Sequence, residues 1–242
     1  MTDTVKPRIG PWAALVLIIA FFAAMEVVLP IARAAITPHL SMTGPRATVA
    51  VRAVSSIVLV WSMFAATYVL LRLRGQTLGD IGFGRPARLW GWLLALLFAA
   101  VYGGGTLMGM LKAGAPVTTD WSFFRIAIAL GIGISAGICE ETVFRGFVMG
   151  QARDGGAHWI IQILLSALLF GAAHMGWGGM SGHVQMQQMV GAMTATAILG
   201  LMMAASYVAG GRSLTPVIIA HGIIDILIEP WLLLYAVSGG HF

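Results

Sequence analysis

Six predominantly apolar runs, each long enough to cross the hydrocarbon core of a bilayer, leave this chain one kind of solvent. A helical span needs about 20 such residues. The runs are Pro11 to Leu29, Thr48 to Leu71, Leu89 to Leu111, Trp121 to Cys139, Ala157 to Trp177 and Val184 to Ala209. A shorter run, Leu214 to Ile228, meets Glu229-Pro230 and then Trp231 to Val237, which reads as a kinked continuation or a half-span. Continuous runs, unlike short alternating segments, are helices, because lipid offers the backbone no hydrogen-bond partners. The expected fold is therefore all-α: a polytopic membrane bundle of seven, or eight, transmembrane helices. Composition excludes the other classes. With 59% hydrophobic residues, 10% charged and a mean hydropathy of +0.90, the chain is no soluble globule and no disordered segment. One Cys makes no disulfide framework, and the 31 Gly follow no triplet period.

The excess of 14 Lys+Arg over 9 Asp+Glu belongs to loops rather than to nucleic acid. Lys6, Arg8, Arg72, Arg74, Arg85, Arg88, Arg153 and Arg212 fall on one side of the runs, against Arg33, Arg46 and Lys112 on the other. The first side is expected to be cytoplasmic, with the N-terminus, in an inner or plasma membrane. Lys6, Arg8 and the later Ala32-Arg33-Ala34 imitate a signal peptide, but Glu26 interrupts that run, so it reads as a retained first helix. No linker is long enough to fold alone. The expectation is one membrane domain over 1–242, with three helices lacking motifs in 1–120 and a motif-bearing helical core in 121–237. Small residues four apart, Gly105/Gly109, Gly133/Gly137 and Gly146/Gly150, predict close helix packing.

Charge in hydrocarbon costs at least about 2.5 kcal/mol per residue on insertion scales, so intramembrane ionisable residues usually have a task. The chain offers Glu26, Glu140, Glu141, Arg145, His174, His221 and Asp225. Glu141 and Arg145 are four apart with the acid first, the favourable order for an ion pair. Glu140 then points about 100° away and has no base on its own helix, which leaves it to meet another helix. A turn at Asp154-Gly155-Gly156 lies roughly 22 Å of helix from Glu140 and roughly 27 Å from His174, so a hairpin brings the two to similar depth. His221 lies only about 13 Å from the loop 210–213, so its helix must tilt or start deeper to join them. His221 and Asp225 share a face, which allows Asp225 to fix the imidazole tautomer or both to point into one cavity. One free carboxylate and two imidazoles from separate helices are able to activate water and stabilise an oxyanion.

Glu140-Glu141-x-x-x-Arg145, Phe170-x-x-x-His174 and His221-x-x-x-Asp225, in that order, resemble the motifs of the CAAX prenyl protease and bacteriocin-processing family, also called the abortive-infection family, which includes the Rce1-type CAAX endopeptidase. The resemblance covers roughly Ser122 to Tyr235. It implies an intramembrane endopeptidase of glutamate type acting on a membrane-associated peptide or protein tail, with no cofactor. Glu140 and His174 would activate the attacking water, Glu141 and Arg145 would hold the first motif in place, Phe170 would support His174, and His221 with Asp225 would line the oxyanion site. One departure stands out: Rce1-type members carry Asn where this chain has Asp225, and the chain has no Asn. An ionised Asp cannot donate to an oxyanion, which favours an orienting role for Asp225.

Rival readings use the same residues. Glu140, His174 and His221 form a two-His-one-carboxylate set able to bind zinc, although H-E-x-x-H is absent. Cys139 beside Glu140 invites a thiol nucleophile, but a lone Cys in a span is more often a small apolar residue. A proton-coupled transporter would also want these groups, and a non-catalytic scaffold or immunity protein would keep them for structure. His39, His158, His183 and His241 lie at span ends or in loops, and the Gly-rich loop Gly176 to Gly182 reads as a flexible connection.

Overall fold

The computed structural model describes residues 7–36, 44–114, 122–175 and 186–238, and these are helical with short connections. The helices are α1 (Pro11–Ile36), α2 (Gly44–Leu73), α3 (Leu89–Lys112), α4 (Phe123–Glu141), α5 (Met149–Asp154), α6 (Trp159–Ala173), α7 (Met186–Ala209) and α8 (Thr215–Ser238). A π-helical segment, Thr142–Val148, joins α4 to α5 without a break. Six of the described stretches are long and apolar enough to cross a membrane: Pro11–Ile36, Ala47–Leu73, Leu89–Lys112, Phe123–Asp154, Met189–Ala209 and Thr215–Leu233. The run Ala157 to Trp177 condenses into α6, which is shorter, at 15 residues. No separate helix follows Pro230. It sits inside α8, which continues to Ser238, so a Pro that forfeits one backbone bond does not end the helix. The chain is an integral membrane protein.

The arginine-bearing connections gather on one face. Arg8 donates its backbone N–H to Leu73 (2.8 Å). Arg74 donates Nε to Gln151 (2.8 Å) and pairs with Asp154 (3.4 Å). Gln76 closes the ring by bonding both Asp154 and Gln151 (2.7 Å each). Arg212 bonds Gln162 (2.7 Å) and Ser213 bonds the Arg85 carbonyl (2.6 Å). Between α2 and α3, Thr77 donates its hydroxyl and its N–H to Asp80. These bonds hold the Asp80 carboxyl below its ordinary range and fix the 3-10 turn Gly79–Ile81. Gly82 then turns the chain at φ +97°, where a side chain would strike the Arg212 carbonyl.

That turn sets the depth of α8. Ile81 and Leu214 pack directly on Gly146, where a Cβ would stand 2.9 and 3.2 Å from their terminal carbons. Gly146 is six residues beyond Glu140 and Leu214 is seven before His221, so both side chains reach the same level, about 10 Å in. The expected mismatch of His221 is resolved by a deep start of α8, while α5 projects past it.

Glycines let α4 and α8 approach backbone to backbone. A Cβ at Gly137 would stand 2.7 Å from the Ile218 oxygen and 3.1 Å from the Gly222 nitrogen, and at Gly133 it would stand 2.9 Å from the Gly222 oxygen. The Gly133/Gly137 spacing thus serves close helix packing as expected, whereas Gly146 and Gly150 receive the Ile81 side chain from the connection between α2 and α3 rather than a neighbouring helix. Gly105 and Gly109 serve neither purpose, since nothing described lies within 4 Å of their Cβ positions. We expect Gly137→Val to cost about 1–3 kcal/mol of stability by overpacking, read as a lower unfolding midpoint in detergent. An unchanged midpoint would mean that α4 and α8 separate without penalty.

Candidate active site

The fully buried ion pair predicted inside the first motif is present: Arg145 Nη1 lies 3.0 Å from Glu141 Oε1, with both side chains at 0% exposure. Arg145 is enclosed further by the Phe170 ring, 4.3 Å from its Cζ, and by the Gly200 carbonyl at 3.4 Å. The segment carrying Arg145 is π-helical, a geometry that concentrates at functional sites because it frees backbone groups. The Phe144 carbonyl, which accepts the Met149 N–H within this segment, accepts a second hydrogen bond from Ser166 on α6 (3.0 Å). Helix α6 is thereby pinned against the motif.

His174 follows the last residue of α6, and its Nδ1 lies 2.8 Å from the Phe170 carbonyl. A carbonyl only accepts, so Nδ1 carries the hydrogen and Nε2 is the nitrogen turned to Glu140. Phe170 is completely buried and stacks between partners, with ring centroids 4.6 Å from His174 and 5.7 Å from His221. It is the common wall of both imidazoles.

His221 is held differently from the expectation. Its Nδ1 meets Glu141 Oε1 at 2.7 Å, whereas Asp225 faces the other nitrogen, Nε2, at 3.5 Å. A carboxylate accepts, so Glu141 fixes the hydrogen on Nδ1. The orienting partner of His221 is therefore Glu141, which serves Arg145 and His221 together, and Asp225 is freed to face the cavity. The i, i+4 spacing of His221 and Asp225 places them side by side, but the stronger contact comes from α4, a helix the local spacing says nothing about.

Glu140 stands where the sequence left it, without a partner on its own helix. Its Oε2 is buried, has no hydrogen bond within the protein, and lies 3.9 Å from His174 Nε2 and 4.0 Å from His221 Nε2. Such separations exceed a direct hydrogen bond and suit one water touching all three groups. Three helices thus deliver a carboxylate and two imidazole nitrogens to one point. Among the described residues no group of three or more His, Cys, Asp or Glu side chains is arranged to hold a metal ion.

These residues form one end of a cavity of about 810 Å³, whose wall also includes Glu26, Arg52, Tyr102, Asp225 and Glu229. Glu229 is missing from the sequence-derived set because it precedes Pro230 and looks like a span end. Continuing the four-residue step from His221 through Asp225 would have found it. Its Oε2 is buried without a hydrogen-bond partner. Cys139 is buried and borders the cavity next to Glu140. His158 caps α6, its ring accepting from the Ile160 N–H (3.4 Å). His39, His183, His241 and the loop Gly176 to Gly182 lie outside the described residues.

Residues 121–227 match the family model for type II CAAX prenyl endopeptidases, Rce1-like. No curated protein and no solved structure matches the chain. The matched segment opens just before α4 and closes within α8, so it contains the three helices that converge on Glu140 together with the pinned α6–α7 hairpin. The part of this membrane protein that builds the site is thus similar to the Rce1-like family of type II CAAX prenyl endopeptidases.

Proposed function

We propose that the chain is an intramembrane endopeptidase that hydrolyses a peptide bond with a glutamate- and histidine-activated water. The observation that carries this reading is the unpartnered Glu140 oxygen held within 4.0 Å of two imidazole nitrogens whose far sides are fixed. In this reading Glu140 takes a proton from a water aligned by His174 Nε2, and the oxygen attacks the scissile carbonyl. His221, protonated on both nitrogens and anchored by Glu141, donates Nε2–H to the developing oxyanion. Asp225 then counters the imidazolium charge. The C–N bond breaks as the proton passes from Glu140 to the leaving amine. Seven crossings complete the topology if the short α6 is counted as one, with the arginine-bearing face and the N-terminus cytoplasmic.

A transporter reading explains buried acids and histidines but gives no reason for two imidazoles to be locked from behind and aimed at one oxygen. A scaffold reading has the same gap. In the zinc version Glu140, His174 and His221 would be ligands. Tetrahedral ligands about 2.0–2.2 Å from zinc stand about 3.3–3.6 Å apart, closer than the separations between Glu140 and the two Nε2 atoms. The test is cleavage by the purified chain of a library of peptides from membrane-protein tails and loops. Cleavage is expected to survive both a strong chelator and Cys139→Ala. Loss on chelation with recovery on adding zinc would put the metal version first, and loss in Cys139→Ala would favour the thiol.

A further inference from the structure

Four carboxylates line the cavity, Glu26, Glu140, Asp225 and Glu229, against one guanidinium, Arg52, among the described residues. Three of the acids are engaged. Glu140 faces His174 and His221 at 3.9 and 4.0 Å, Asp225 faces His221 at 3.5 Å, and Glu26 and Arg52 have interactions of their own. Glu229 is left over. Its Oε2 is enclosed by protein and accepts no hydrogen bond, a condition that costs free energy until a donor arrives.

The position of Glu229 decides which donor can reach it. His221, Ile224, Asp225, Ile228, Glu229 and Leu232 form one stripe of α8 along the cavity, in the three- and four-residue steps of a single helix face. Glu229 stands eight residues beyond His221, about 12 Å along the axis. Helix α3 runs beside this stretch. A Cβ at Gly103 would lie 3.7 Å from Ile228 and 3.9 Å from Ile224, and the neighbouring Tyr102 and Thr106 line the cavity. Ile224, Ile228 and Leu232 flank the carboxylate with hydrocarbon, which weakens screening and lengthens its electrostatic reach.

An extended peptide advances about 3.3 Å per residue, so with its scissile carbonyl at Glu140 a residue roughly three positions away lies about 10 Å along the stripe. A long side chain covers the remainder. Lys and Arg bring a charged head that gives a carboxylate its strongest hydrogen bonds, on an apolar stem that suits the isoleucine and leucine wall. We propose that Glu229 is the receptor for a basic substrate side chain, so that the cavity selects peptides with Lys or Arg about two to four residues from the bond that is cut. The word substrate rests on the peptidase reading; the capture of a cationic side chain does not.

The experiment measures capture apart from cleavage. Fluorescein-labelled decapeptides of Ala and Leu, each with one central Lys or one central acetyl-lysine, are titrated with the full chain carrying Glu140→Gln in non-ionic detergent and followed by anisotropy. Acetyl-lysine keeps the reach and removes the charge. The Lys peptide is expected to bind about tenfold more tightly, the scale of one charge-assisted hydrogen bond. Adding Glu229→Gln, which keeps the shape and removes the carboxylate, is expected to bring the two peptides to parity by weakening the Lys peptide alone. Should that variant fail to accumulate, Glu229→Met carries the comparison. Equal binding of the two peptides by Glu140→Gln, or a preference for Lys that outlives the loss of the Glu229 carboxylate, overturns the proposal. Wild type is expected to cut the Lys peptide about two to four residues from the Lys. Peptides that bind with the Lys preference but stay uncut would remove the peptidase reading and leave the receptor in place.

Discussion

In the Glu140→Gln variant, peptide cleavage falls by about 10²–10⁴-fold, the range a positioned general base contributes, while the unfolding midpoint in detergent stays at the wild-type value. The second half of that expectation follows from the geometry. Glu140 Oε2 makes no hydrogen bond within the protein, and both imidazoles stand at 3.9 Å or more from it. Replacing the carboxylate by an amide of the same shape therefore removes a proton acceptor without breaking a hydrogen bond at that oxygen. His174→Ala is expected to act in the same direction, since it removes the Nε2 that aligns the water beside Glu140. Steady-state cleavage by purified variants, with circular dichroism melts alongside, measures both halves. Wild-type turnover in either variant removes the assigned mechanism.

Glu141→Ala is expected to fail for the opposite reason, by losing stability. It strips a completely buried guanidinium of its counter-ion and leaves only the Phe170 face and the Gly200 carbonyl. Removing one partner of a buried pair typically costs about 3–5 kcal/mol, a large share of the roughly 5–15 kcal/mol that holds a domain together. The expected readout is a sharp fall in membrane accumulation and in the unfolding midpoint. A double variant separates the two duties of Glu141. Glu141→Ala combined with Arg145→Met replaces the ion pair by apolar groups and is expected to regain much of the stability. Activity is expected to stay low, because His221 still lacks the acceptor at Nδ1. If the double variant cleaves at the wild-type rate, Glu141 serves Arg145 alone.

The sequence exposed whatever obeys a local period. The apolar runs announce the spans, the four-residue step from Glu141 to Arg145 announces a contact on one helix face, and similar distances from the Asp154 turn announce that Glu140 and His174 meet. Contacts between helices distant in sequence have no such signature. The Glu141–His221 bond depends on α8 starting at the level of Gly146, which depends in turn on Ile81 from a loop whose depth no periodicity encodes. Hence the sequence points to Asp225, the neighbour visible on the same helix, for the orienting role. The π-helical segment is hidden because its apolar sequence is equally compatible with an α-helix. Glu229 was lost to a rule of thumb about Pro, which the buried helix α8 overrides by running on to Ser238. Small-residue spacing also over-predicts, since nothing described lies within 4 Å of a Cβ at Gly105 or Gly109.

A quantitative comparison of protein termini in membranes from cells producing wild type or Glu140→Gln, at equal protein levels, bears most directly on the claim that this cluster hydrolyses peptide bonds. New termini, in peptides mapping beside or within membrane segments, are expected with wild type and absent with the variant. Identical sets of termini in the two membranes would contradict it.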